Sequence, residues 1–243
     1  KILKKFDLKS KKKDLKDWRK LVRTIKTATK PVKIGIVGKY FSSGKFTLAD
    51  VYLSVIEAAK HAAWDHKRIP ELHWLDSEEY EKDKRKLKEL SEYDGIIIPG
   101  GFGTRGIEGK IRAVEYIRKN NIPYLGLCYG MQLAVIEFAR NVCGKKKANT
   151  VEADLDCSDP VIHVMEDQVD NIEESKYGGT MRLGAYPCVL DKKSKSFVAY
   201  CTKRISERHR HRYEVNNEYR DILQKHGMVF SGINEERDLI EIG

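Results

Sequence analysis

The pentapeptide Gly126-Leu127-Cys128-Tyr129-Gly130 has the residue types of a nucleophile elbow, G-x-S-x-G, with cysteine in the serine position. Flanking glycines let a backbone turn sharply without side-chain clash, which leaves the central residue exposed at a sheet edge. A helix starting at that point directs the positive end of its dipole at the sulfur. That favours thiolate over the thiol, whose ordinary pKa is about 8.5. The backbone N–H of Tyr129 would then face the oxyanion formed on a carbonyl that Cys128 attacks. The competing reading of the pentapeptide is a buried structural cysteine on an ordinary strand–helix turn.

A second turn, Gly100-Gly101-Phe102-Gly103, could bring another donor to the same oxyanion, because no side chain at Gly101 blocks approach to its N–H. One such donor is worth on the order of 10²–10³ in rate. By itself this turn reads equally as a plain loop that uses glycine for positive φ. Its weight comes from lying one strand away from the cysteine elbow. The stretch Gly38 to Gly44-Lys45 resembles a phosphate loop but departs in detail. Five residues separate the glycines where four are needed, and Phe46 occupies the Ser/Thr position, so it reads as a loop. In Arg208-His209-Arg210-His211-Arg212, strand geometry puts His209 and His211 on one side and the arginines on the other. Carboxylate or phosphate recognition by arginine, metal binding by the paired histidines, and a histidine base for Cys128 all remain open, as does a solvated, salt-bridged strand.

These residues need a scaffold, and the hydrophobic pattern supplies one. Residues 32–37, 71–75, 95–98 and 124–126 read as short strands. Between and after them, residues 48–64, 78–90, 107–120 and 131–143 read as helices, the last ended by Gly144. Such alternation predicts an α/β fold, a mostly parallel open sheet with helices on both faces, whose ligands sit at the carboxyl ends of the strands. Both glycine turns fall at that edge. Residues 145–205 read as loop-rich, and strand returns near 228–231 and 239–242. Residues 1–30 read as a basic helical tail and linker, with Leu15, Trp18, Val22 and Ile25 at helical spacing, and residues 31–243 as the catalytic domain.

The net charge of +10 belongs to that tail. Residues 1–30 hold eleven Lys, two Arg and three Asp, and the remainder is balanced. A folded nucleic-acid reader shows its basic patch on the domain, so no nucleic-acid partner is expected. No apolar run approaches the length of a membrane span, and no signal region opens the chain. Five scattered cysteines without a C-x-x-C pair point to a reducing compartment, hence the cytoplasm, with neither a disulfide framework nor a zinc site.

At four segments the chain resembles the glutaminase (class I glutamine amidotransferase) domain of CTP synthases. Residues 126–142, opening Gly-Leu-Cys-Tyr-Gly-Met-Gln, are similar to that family's nucleophile segment, and residues 99–110, Pro-Gly-Gly-Phe-Gly-Thr-Arg-Gly-Ile-Glu-Gly-Lys, to its oxyanion strand. Gly-Gly-Thr-Met-Arg-Leu-Gly (178–184) and Glu-Arg-His-Arg-His-Arg-Tyr-Glu-Val-Asn (207–216) are similar to two further signatures that other glutaminases lack. The resemblance implies a flavodoxin-like glutaminase fold. It also implies hydrolysis of L-glutamine, with the ammonia passing to a synthetase domain of the same polypeptide that converts UTP and ATP into CTP. It makes Cys128 the nucleophile and puts the oxyanion on Gly101 and Tyr129. Gly101, Phe102, Tyr129, Gly130, Met131, Gln132, Glu152 and Arg212 would contact glutamine. A carboxylate suits its ammonium and an arginine fork its carboxylate. No cofactor or metal is implied for this domain. ATP and magnesium belong to the synthetase domain, GTP is the allosteric activator, and the whole enzyme forms tetramers and filaments.

Three departures accompany the resemblance. Tyr129 stands where the family more often has leucine, which predicts an altered pocket edge. Residues 153–176 and 194–204 are short and irregular beside the family pattern, which points to missing residues there. The family's His-Pro-Glu segment should follow residues 239–242 and lies beyond Gly243. Without its general acid–base, worth roughly 10²–10⁴ in rate, these residues alone are expected to turn glutamine over very slowly.

Overall fold

Two helices, α1 (Ile2–Lys5) and α2 (Lys16–Thr27), precede a parallel sheet of β1 (Lys30–Gly38), β2 (Arg68–Asp76), β3 (Gly95–Ile98) and β4 (Tyr124–Gly126), ordered β2-β1-β3-β4. The computed structural model describes residues 2–9, 14–39, 52–165 and 181–243. Helix α3 (Leu53–Asp65) links β1 to β2, and α5 (Ile107–Lys119) links β3 to β4. Between β2 and β3 run α4 (Ser77–Lys82) and a 3₁₀ segment, Lys84–Glu92.

Successive strand side chains point to opposite faces, and the two cores sort accordingly. Ile34, Ile36, Leu72, Trp74 and Ile97 pack with Tyr52 and Val55, the α3 side. Val37, Leu75, Ile96 and Ile98 pack with Tyr80, Leu87, Leu90, Ala113, Val114 and Ile117, the α4–α5 side. Helices therefore cover both faces, as the alternating pattern requires.

After β4, helix α6 (Tyr129–Asn141) leads into a second half made of β5 (Ala148–Thr150), β6 (Asp159–Val164), β7 (Arg182–Leu190), α7 (Lys195–Tyr200), β8 (Arg204–His211), β9 (Tyr213–Val215), α8 (Arg220–Lys225), β10 (Gly232–Asn234) and β11 (Leu239–Ile242). These strands form a three-stranded sheet, β5-β6-β9, and an antiparallel sheet, β11-β10-β7-β8. Leu133, Val135 and Ile136 of α6 bury against Val161, Ile162, Val215 and Leu223, which ties the two halves together. Each such side chain contributes about 1.5–3 kcal/mol of burial.

Some sequence expectations change. The charged helix expected at 78–90 breaks at Asp83, whose backbone is extended and whose carboxylate accepts the Arg85 N–H, a local bond that competes with helix continuation. Among the described residues of 145–205 there are three strands and a helix where loop was expected, because pairing with distant segments stabilises strands that have no strong period of their own. The strand expected at 228–231 is instead at Gly232–Asn234. The start of the helix expected at 48–64, the turn at Gly44-Lys45, and residues 178–180 lie outside the described residues. Helix α2 forms where expected and lies against α3, with Leu15, Trp18 and Val22 exposed. No helix among the described residues is long and apolar enough to cross a membrane.

Candidate active site

Cys128 sits between β4 and α6 with φ 53° and ψ −106°. For a non-glycine residue such a backbone costs about 1–3 kcal/mol and persists only where the surroundings enforce it. Here they do. A Cβ on Gly130 would lie 2.1 Å from the Ile98 carbonyl oxygen, and one on Gly126 would lie 2.7 Å from the Gly130 carbonyl carbon. The elbow is thus folded so tightly, Gly130 onto β3 and Gly126 onto the start of α6, that only glycine fits at either flank. The Leu127 N–H donates to Ile98 O at 2.9 Å, and the Tyr124 hydroxyl donates to Gly130 O at 2.8 Å. The result is an exposed cysteine at the carboxyl edge of the parallel sheet.

The turn after β3 lies directly beside it. A Cβ on Gly100 would stand 3.5 Å from Cys128 Cβ and 3.8 Å from its Sγ. The Gly103 N–H donates to Glu152 Oε1 at 2.7 Å, and Gly103 O accepts from the Tyr129 hydroxyl at 3.2 Å and from Lys39 Nζ at 3.3 Å. Lys39 Nζ also donates to Phe102 O, and Arg105 Nη2 holds the Lys39 carbonyl at 2.7 Å. The Tyr129 side chain is 1% exposed. The ring lies beneath the glycine turn and braces it through the hydroxyl bond to Gly103 O.

The electrostatics oppose a resting thiolate. Although solvent reaches Cys128, the protein packed around its sulfur strips away part of its hydration and pushes the thiol up to about 11, with the Glu152 and Glu214 carboxylates adding to the rise. The Tyr129 N–H bonds the sulfur and works the other way, as does Arg210, but neither offsets the loss of water. The expected helix-terminus effect is present and outweighed. Among the described residues the thiol's acceptor is Arg210 O, at 3.9 Å. Burial raises the Glu152 pKa, and burial lowers that of Lys39.

On β8, His209 and His211 do share a side, their ring centroids 5.2 Å apart, while Arg208 and Arg210 are exposed. Both histidines are held by carboxylates, His209 Nε2 by Glu241 at 2.6 Å and His211 Nε2 by Glu214 at 2.5 Å. The guanidinium of buried Arg182 lies between the same two glutamates, 2.7 Å from Glu241 and 3.2 Å from Glu214, and 4.1 Å from the Tyr186 ring centre. The histidines thus belong to an internal ion cluster. No group of three or more His, Cys, Asp or Glu among the described residues is arranged to hold a metal. Arg212 leaves the alternation: it joins β8 to β9, which lie in different sheets, and is buried.

Of the residues singled out by sequence, Gly101, Phe102, Cys128, Tyr129 and Glu152 converge on the two glycine turns. Gly130 and Met131 lie in the first turn of α6 with Gln132, whose Nε2 donates to Tyr213 O at 2.8 Å and so links α6 to the residue after Arg212. Lys39 and Lys110 were missed. Lys110 had a legible signal, since it falls on the apolar stripe of Ile107, Ile111, Val114 and Ile117, where a charge is out of place. Lys39 had none.

The profile of the family Glutamine amidotransferase class-I matches residues 47–242. The CTP synthase of Caldanaerobacter subterraneus subsp. tengcongensis is 48% identical over 241 residues, and that of Carboxydothermus hydrogenoformans is 49% identical over 241 residues. Each alignment takes in 99% of this chain and 43% of the relative. The archaeal CTP synthase of Methanocaldococcus jannaschii is 45% identical over 99% of this chain and 44% of its own length. The chain thus spans less than half the length of these curated relatives. Among solved structures, the Trypanosoma brucei CTPS glutaminase domain with bound acivicin superposes with a TM-score of 0.76 and 36% identity, covering 86% of this chain and 78% of that one.

Proposed function

Since this chain belongs to the class-I glutamine amidotransferases, among the glutaminase domains of CTP synthases, we infer that Cys128 hydrolyses the side-chain amide of L-glutamine. The observation that carries this is the strained Cys128 elbow packed against the Gly100–Gly103 turn, with the Tyr129 N–H at its sulfur. Attack by the thiolate forms a carbon–sulfur bond and moves an electron pair onto the amide oxygen, where the Gly101 and Tyr129 N–H groups receive it. The carbon–nitrogen bond then breaks, and protonation releases ammonia. Water cleaves the thioester to glutamate and restores the thiol.

Glu152 is proposed to take the substrate ammonium with the oxygen not used on Gly103, and Arg212 its carboxylate. Phe102, Gly130, Met131 and Gln132 complete the pocket. A resting thiol near 11 needs a base or a cation to yield thiolate at neutral pH. His209 and His211 are committed to Glu241 and Glu214. The base is proposed to come from the His-Pro-Glu segment that the family resemblance implies. Residues 1–30 are proposed as the junction with a synthetase domain and 31–243 as the glutaminase domain. For the whole polypeptide we propose ATP- and magnesium-dependent amination of UTP, activation by GTP, tetramer and filament assembly, and a cytoplasmic setting.

The test is glutamate release from L-glutamine by the full-length polypeptide, with Cys128→Ser alongside, and peptide mapping after treatment with acivicin or a glutamine-mimicking diazoketone. Turnover lost in Cys128→Ser and a label on Cys128 are expected. Turnover that survives the substitution, or hydrolysis confined to γ-glutamyl peptides, would overturn the assignment.

A further inference from the structure

Lys110 projects from the first turns of α5 into the interior, is 1% exposed, and among the described residues its Nζ has no hydrogen-bond partner. It occupies the stripe otherwise filled by Ile107, Ile111, Val114 and Ile117, where leucine or methionine would serve the packing without burying a charge. Its described surroundings do not neutralise it. Nζ lies 5.8 Å from the centre of the Tyr129 ring and 3.9 Å from where a Cβ on Gly101 would stand, and Lys39, a second ammonium, acts on it repulsively. Of the nearby carboxylates, Glu152 is engaged by the Gly103 N–H, Glu78 by Arg105 and Glu81 by the Gly109 N–H, and Glu152 and Glu78 act on Lys39. A buried cation without a counter-charge is unfavourable in the resting enzyme. It becomes favourable only if a negative charge forms nearby during turnover, which is the condition for an interaction to accelerate a step rather than tighten binding.

We propose that Lys110 is a positioning residue for the reaction at Cys128: its ammonium, held against Gly101 and Tyr129, sets a positive potential behind the two N–H groups that receive the oxyanion. The inference rests on the glutaminase assignment above. Burial and Lys39 together bring the Lys110 pKa down to about 8, so the ammonium still predominates at pH 7. Because the charge acts through the turn and touches no substrate, its effect falls on the chemical step.

The experiment compares Lys110→Met and Lys110→Arg with the unsubstituted full-length polypeptide in glutamine hydrolysis and thermal melting. The methionine variant should lose roughly ten- to a hundredfold in kcat, less than the 10²–10³ of a direct oxyanion donor. Its KM should stay within about twofold, and its melting temperature should hold or rise, since an unpaired buried charge has been removed. Arginine should restore most of kcat. If the methionine variant does not fold, Lys110→Gln is read in its place. Unchanged kcat in a folded neutral variant, a loss expressed in KM, or an equal loss in the arginine variant would each overturn the proposal. An unsubstituted protein that released no glutamate would sink the glutaminase assignment and this inference with it. Normal turnover with an undiminished neutral variant would sink the inference alone.

Discussion

Replacing one glycine that flanks Cys128 and one that packs beside it should separate the folding of the elbow from its chemistry. In Gly130→Ala the new Cβ would be 2.1 Å from Ile98 O, 3.0 Å from its carbonyl carbon and 3.2 Å from its Cβ. Every one of these atoms is on β3, so no flexible side-chain end can swing aside. To reach ordinary contact, α6 must back away from the sheet by roughly 1 Å, a gap that forfeits a quarter to a half of each dispersion contact it opens. Leu133, Val135, Ile136 and Ala139, all buried on α6, would loosen together. Overpacking of this kind costs about 1–3 kcal/mol, and the backbone clash puts this case at the upper end, ~3 kcal/mol. With a urea slope of about 1–3 kcal/mol/M, the unfolding midpoint should fall by at least about 1 M. In Gly100→Ala the new Cβ meets Cys128 Cβ at 3.5 Å and Sγ at 3.8 Å, both ordinary contacts. Its unfolding free energy should stay within about 0.5 kcal/mol of the parent, while alkylation of Cys128 slows because the thiol loses open space. The assay is urea unfolding of each protein by fluorescence, paired with the rate of iodoacetamide labelling at Cys128. Equal midpoints for the two variants would refute the claim that close approach, rather than turn preference, demands glycine at 130.

Three further outcomes follow from the ion cluster and the braced turn. Arg182→Met leaves Glu214 and Glu241 without their shared buried cation, so thermal melting should show a loss of about 3–5 kcal/mol. For His209, burial works to lower the pKa, but the hydrogen bond and charge of Glu241 outweigh it and raise it above 6.5. Its contribution is therefore complete below pH 6.5 and lost as pH rises through the raised value. For Glu241, burial works upward but His209 and Arg182 hold it below 4.5, so its contribution is lost only as pH falls through that lowered value. Melting curves from pH 5 to 9 should accordingly show a decline on the alkaline side that is flatter in His209→Asn; parallel curves would contradict the pairing. Tyr129→Phe removes the hydroxyl bond to Gly103 O and should cost about 0.5–1.5 kcal/mol in unfolding free energy, with slower labelling of Cys128 by a glutamine-mimicking diazoketone if the turn it braces loses its register.

The parts of this molecule legible in its sequence are those decided locally. The strand–helix alternation through residue 143 could be read because burial on two faces leaves a period in the chain. The cysteine elbow could be read because only glycine tolerates the close approach at its flanks, Gly126 against Gly130 and Gly130 against Ile98, and the neighbouring turn because Gly103 takes a positive φ. The family resemblance added the substrate and the proposed roles of Glu152 and Arg212, which no local pattern supplies. What depended on distant partners stayed hidden. The strands at Ala148–Thr150, Asp159–Val164 and Arg182–Leu190 are stabilised by pairing across long loops. The two histidines looked available for catalysis until Glu241 and Glu214 came within hydrogen-bonding distance. Arg212 is buried only because the chain changes sheets at that residue. The helix dipole promised an acidic thiol, but the sign of the shift depends on how much water the folded chain excludes, and burial prevailed. Sequence alone determined which backbone positions could turn and which faces had to be covered, because sterics and hydrophobic period act between near neighbours. Tertiary structure alone decided which charges are paired, which are buried without a partner, and so what each costs, because desolvation and Coulomb terms depend on every group the fold brings near.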